Sequence, residues 1–173
     1  ASLNAYSSPD QSTATAVSAD DAIDPQRRGY VFARSVDFLI NSMKALSAPF
    51  EGDVTTALVF HAMSRASVAH LNMRPGVNKA AVDGIFPDDL RRSVSILSTA
   101  NFLGLPYETT RRHVGKLVEL GMVERRGSRE FFVSSAVLAR PDFDPVATQT
   151  VNLARVLLRD AGGVLDASQM VEA

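Results

Sequence analysis

The segment Ala100-Asn101-Phe102-Leu103-Gly104-Leu105-Pro106-Tyr107-Glu108-Thr109-Thr110-Arg111-Arg112-His113-Val114 decides the fold. It reads as a helix, a glycine turn, and a second helix that opens polar and carries paired arginines. Ser95 is the expected N-cap of the first helix, with Ile96, Ala100 and Leu103 facing inward. Ala100 is small and lets the two helices cross closely. Gly104 supplies the backbone freedom for the turn. Pro106 stands where a helix can begin without losing a hydrogen bond. This spacing predicts a helix-turn-helix, the arrangement that presents a recognition helix to the major groove of DNA.

The second helix is expected to run through Lys116, Leu117, Val118 and Leu120 to Gly121. At ~100° per residue, Thr110, Val114, Leu117, Val118 and Gly121 share an inward side. Glu108, Arg112, Gly115, Lys116 and Glu119 lie opposite, with Thr109 and Arg111 at the margins. The N-terminal half of that exposed face offers Tyr107, Glu108, Thr109, Arg111 and Arg112. Arginine can make a bidentate contact to guanine, threonine can meet a phosphate or thymine methyl, and glutamate can accept from cytosine N4. Gly115 costs about 1 kcal/mol relative to alanine in a helix. Its exposed position fits a close approach to another surface, or plain tolerance.

After Gly121, Met122 to Arg125 and Arg129 to Val133 read as two strands around Arg126-Gly127-Ser128. A hairpin carrying Arg125, Arg126 and Arg129 suits phosphate contact or minor-groove insertion. Charged edges also serve to block aggregation, but the position directly after a recognition-like helix favours DNA. The expected fold class is mainly α with a small β-hairpin wing, a winged helix-turn-helix flanked by N- and C-terminal helices.

Charge is distributed to match. The 173-residue chain has a net charge of −1, yet residues 91 to 130 hold eight basic and four acidic side chains, +4 in all. A basic patch on an acidic body is the footprint expected where one face meets phosphate. The chain has no cysteine, which excludes disulfides, thiolate zinc sites and thiol nucleophiles. No basic stretch followed by an apolar run stands at the N-terminus, so no signal peptide is expected. The most apolar stretch, Val54 to Leu71, is interrupted by His61, Arg65 and His70 and predicts no membrane span. A cytoplasmic protein without cofactor is expected.

Around the central segment, residues 1–26 read as a flexible tail. Residues 27–87 read as a helical region for dimerisation or sensing, 88–138 as the DNA-binding domain, and 139–173 as C-terminal helices. Tyr30 to Leu46 has helical periodicity that Pro49 ends. Asp53 is the expected N-cap of a helix reaching about Asn72. That helix is apolar nearly all round and must be covered on more than one side, either centrally within one chain or by a second subunit. Residues 74 to 87 read as a loop, and Asp88 to Arg92 as a short turn. Asp144 and Pro145 are expected to open a helix that ends near Ala161, before Gly162-Gly163, with a short helix over Ala167 to Val171 after it.

The set Leu103-Gly104-Leu105-Pro106, Thr109, Arg111-Arg112, Leu117, Gly121-Met122-Val123 and the arginine-bearing turn resembles the winged helix-turn-helix domains of bacterial transcriptional regulators, the MarR, GntR and IclR groups. It covers about residues 88 to 138. The resemblance implies operator binding as a homodimer, with Thr109, Arg111 and Arg112 in the major groove and the wing at the flanking minor groove. In MarR-like proteins terminal helices form the dimer. Residues 30 to 75 match no dimerisation or effector domain, and Thr110 stands where an apolar residue is usual.

The expected DNA-contacting set is therefore Ser95, Tyr107, Glu108, Thr109, Arg111, Arg112, Lys116, Arg125, Arg126 and Arg129. The rival is a winged helix used only for protein contact, as an adaptor. An enzyme is not expected. His61 and His70 are nine apart and cannot share a metal at i, i+4 spacing, His113 lies beside the inward face, and no nucleophile motif occurs. Ala62, Ala66 and Ala69 could leave space for a small-molecule effector beside helix 53–72, although core packing explains them as well.

Overall fold

The computed structural model describes residues 24–71 and 80–166. The chain is mainly helical, with one small three-stranded antiparallel sheet. The elements in order are α1 (Pro25–Ser47), α2 (Val54–Ser67), β1 (Val94–Ser95), α3 (Ile96–Leu103), α4 (Tyr107–Glu119), β2 (Glu124–Arg126), β3 (Glu130–Phe132), α5 (Ser135–Leu138) and α6 (Asp144–Asp166). Short 3-10 turns occupy Ala48–Phe50 and Asp88–Leu90. The expected tail falls mostly on residues outside the described ones, as do residues 74–79 of the expected loop and the short helix over Ala167 to Val171. Among the described residues, no helix is long and apolar enough to cross a membrane.

Two compact units divide the chain. The first spans Ser47–Asp144, and the second is built on α1 and α6.

In the first unit α2 is the central helix, packed against α3 and α4. Asp53 caps it as expected, its carboxylate accepting from the Thr56 backbone N–H at 2.9 Å. Ala57, Val59, Phe60, Ala62 and Met63 are buried along it. The same chain thus supplies much of the cover that its apolar circumference demanded. The core joins Phe50, Phe60 and Met63 to Val114 and Leu117 of α4 and to Met122, Val123, Phe131, Val133 and Phe143. Phe60 stacks on Phe143 with ring centroids 5.3 Å apart. Helix α2 ends at Ser67, short of the expected Asn72, and passes into turns.

The sequence expectations for the central motif hold in detail at the caps. Ser95 caps α3 by accepting from Ser98 N–H at 3.1 Å. Gly104 ends α3 in the left-handed region at φ 65°, which a side chain would strain. Thr110, Val114 and Leu117 are fully buried on α4. Thr110 satisfies its hydroxyl by donating to the Pro106 carbonyl at 3.2 Å, which lets a polar residue take an inward position. Val118, expected inward, is 37% exposed.

The sheet has order β1-β3-β2, so the hairpin is not free-standing. Val94 pairs with Phe131 and Ser95 with Glu130. β1 escaped the sequence reading because two residues carry no periodicity. Arg91 was counted in the basic surface patch, but it is buried. Its Nε donates to the Val133 carbonyl at 2.8 Å and its guanidinium to Ser67 Oγ at 2.8 Å. Burial pushes its pKa down from the ordinary arginine value.

In the second unit, α1 starts at Pro25, inside the expected tail. Asp24 accepts from the backbone N–H groups of Gln26 and Arg27 at 3.1 and 3.2 Å. This Asp-Pro opening has the same sequence as the one at residues 144–145. Helix α6 continues through Gly162-Gly163 to Asp166. Glycine stops a helix by turning left-handed, and neither of these two does so. Tyr30, Phe32, Leu39 and Ile40 of α1 are exposed, as are Val151, Val156, Leu158 and Leu165 of α6.

Candidate nucleic-acid interface

A groove of about 510 Å³ opens between the start of α3, the side of α4 and the β2–β3 hairpin. Ser95, Ile96 and Leu97 line one end. Tyr107, Arg111, Gly115, Val118 and Glu119 line the α4 wall. Arg125, Ser128, Arg129 and Phe131 line the hairpin wall. Three arginines and one glutamate thus face the same space, leaving it positive.

Strand alternation decides which hairpin arginine reaches it. Successive side chains on a strand point to opposite faces. Arg125 pairs with Phe131 and shares its face, its guanidinium 5.7 Å from that ring's centroid. Arg126 is on the other face. It lies over the Phe132 ring at 3.4 Å from the centroid and reaches Glu124 at 3.8 Å. The three arginines expected at one tip are therefore split, with Arg125 and Arg129 in the groove and Arg126 behind it.

Helix α4 makes a similar division. Arg111, placed at the margin by the wheel, lines the groove, and its Nε is held by Glu108 Oε2 at 2.8 Å. That partner raises the Arg111 pKa further, so its charge is permanent. Arg112 is exposed but is not among the groove-lining residues, and Thr109 is half-buried. Lys116, expected in the outward set, sends its ammonium to Asp53 at 3.0 Å. Tyr107 lines the groove and is 46% exposed, leaving its ring free for contact. Ser95 lines it too, but its hydroxyl accepts from Ser98 N–H and donates to Ser98 Oγ at 2.9 Å.

The orientation of α4 rests on a polar cluster at the N-terminus of α2. Thr56 Oγ1 donates its only proton to Asp53 Oδ2 at 2.7 Å. His113 Nδ1 lies 2.8 Å from the same Thr56 oxygen and must therefore donate to it. The Thr56 backbone N–H and hydroxyl, with Lys116 beside them, hold the Asp53 carboxyl well below the usual carboxylate range.

No family model, curated protein or solved structure matches this chain.

A second, apolar cavity of about 230 Å³ lies between α2 and α3. Ala62, Ala66 and Ala69 line it, with Phe102 opposite and Arg65 and His61 also at its wall. The three alanines border a half-open apolar depression. His61 packs edge-on to Phe60 at 5.3 Å between ring centroids. Among the described residues, no three His, Cys, Asp or Glu side chains gather as a metal-holding group.

Sequence reasoning singled out Gly115 but missed Leu97, Glu119 and Ser128 as groove residues. Leu97 follows β1, whose pairing with β3 no local signal announces.

Proposed function

We propose that this protein is a winged-helix, sequence-specific DNA-binding transcriptional regulator that acts as a homodimer. The observation that carries this reading is the convergence of Arg111, Arg125 and Arg129 on one groove beside an exposed helix. Guanidinium groups are the preferred partners of phosphate and of guanine edges. In this reading α4 enters the major groove, with Arg112 on bases and Arg111 at its flank. Arg125 and Arg129 hold the adjoining phosphate strand.

The dimer is supported by the second unit. On α6, Val151, Leu158 and Leu165 recur every seven residues and are exposed. On α1, Phe32 and Leu39 do the same. Exposed apolar side chains aligned along a helix face suit cover by a second subunit. Two copies joined there would present two recognition helices, as a two-fold operator requires. In the same reading, the cavity beside Ala62, Ala66 and Ala69 receives a small-molecule effector.

The test is binding to a duplex selected from a random-sequence library. Affinity is expected to fall steeply with salt, because each phosphate contact contributes about −0.9 to the logarithmic slope. If no duplex is enriched and none binds in a salt-sensitive way, DNA recognition is wrong and a protein-contact module takes its place.

A further inference from the structure

We infer that Gly115 is a nucleic-acid contact position, the point where a phosphodiester strand meets the α4 backbone. This rests on the DNA-binding reading and deepens it. Gly115 lies within α4, where its left-handed freedom is not used: its φ is not positive. A Cβ placed there would meet nothing within 4 Å. No neighbouring atom of the protein therefore demands glycine. The helix would be more stable with alanine, so neither local geometry nor packing accounts for glycine at this position.

The position has a distinct setting. Gly115 lines the groove one helical turn beyond Arg111, on the wall facing Arg125 and Arg129. Without a side chain at that step, the α4 wall is recessed between the cationic groups. A phosphodiester strand seated there approaches the helix closely enough for the arginines to reach it from both walls. Charge-assisted hydrogen bonds work at about 2.7–2.9 Å. A methyl group at position 115 would hold the strand off by more than that tolerance allows. Glycine commonly appears where a backbone must approach a ligand closely.

The inference gives stability and binding opposite signs, which a purely structural role would not. Gly115→Ala is expected to raise Tm by roughly 2–4 °C, as one helix-propensity step does in a protein of this size. It is expected to weaken binding to the selected duplex by roughly tenfold to a hundredfold, the effect of one lost charge-assisted hydrogen bond. Gly163→Ala in α6, on the face turned away from Leu158 and Leu165, is the control. Its Cβ also meets open space, and it should raise Tm without changing affinity. Unchanged affinity in Gly115→Ala would overturn the inference and leave the DNA-binding reading standing. Absence of duplex binding by the unsubstituted protein would overturn that reading and the inference with it. A fall in Tm for Gly115→Ala would also overturn it, since glycine would then serve the fold.

Discussion

The ammonium of Lys116 lies 3.0 Å from the carboxylate of Asp53, joining α4 to the first turn of α2. Asp53 already caps α2 through Thr56, and Thr56 in turn accepts from His113. One carboxylate therefore fixes both the start of the central helix and the rotation of α4.

Replacing Asp53 with alanine removes the cap and the anchor together. The expected cost is about 1–2 kcal/mol, or several degrees in Tm. The folded carboxyl holds its proton less tightly than an unfolded one. Its contribution is thus complete above the unfolded pKa of ~4 and fades as pH falls below that toward the lower folded value. Urea unfolding from pH 7 to pH 2 should show the gap between wild type and Asp53→Ala constant at neutral pH and closing below about pH 4. A gap independent of pH would place the stabilisation outside the carboxylate.

The hairpin arginines should separate by face. Arg125→Ala and Arg129→Ala are expected to weaken duplex binding and each to reduce the salt slope by about 1. Arg126→Ala should leave the slope unchanged and cost stability instead, about 0.5–1 kcal/mol for the lost contact with Phe132. Anisotropy titrations at several salt concentrations, paired with thermal melts, read both effects. Equal loss of binding in all three variants would contradict the division made by strand alternation.

Arg91 predicts a purely structural loss. Arg91→Ala leaves the Val133 carbonyl and Ser67 hydroxyl without their buried partner. Its expected cost is about 2–4 kcal/mol. The adjacent Arg92 is exposed, and Arg92→Ala should stay within about 0.5 kcal/mol of wild type. Denaturant midpoints compare the two directly.

The proposed dimer seam can be tested without touching the first unit. Leu158 is 72% exposed on α6. Leu158→Glu should yield a folded monomer by sedimentation velocity, with circular dichroism retained. A wild-type protein that is monomeric at all accessible concentrations would remove the seam argument.

Legibility in the sequence followed the range of the interactions. Asp53, Ser95 and Gly104 act on residues three to five positions away, so their caps and turn could be read from spacing. Asp24 uses the same local chemistry and was equally readable. Arg91 could not be assigned, because its burial depends on Ser67 and Val133, far away on both sides. The three hairpin arginines looked alike as a charge cluster. Only the register, Arg125 opposite Phe131 and Arg126 opposite Glu130, separates them. At Gly162-Gly163 a sound local rule failed, since glycine marks a helix end only when it adopts positive φ. The groove itself is a product of tertiary pairing and has no signature in any one segment.

The pairing of Ser95 with Glu130 carries a kinetic consequence. Helices α3 and α4 close their hydrogen bonds over a few residues and can form quickly. β1 and its partner β3 lie on either side of α3, α4 and β2 in the chain, so their pairing closes a long loop. Non-local closure is the slow step in such topologies. A chain arrested before that step would have most of its native helix content and no groove. Its circular dichroism would be close to native while the polyanion affinity proposed for the native groove was absent, so the rise of such binding during refolding would clock the arrival of a single two-residue strand.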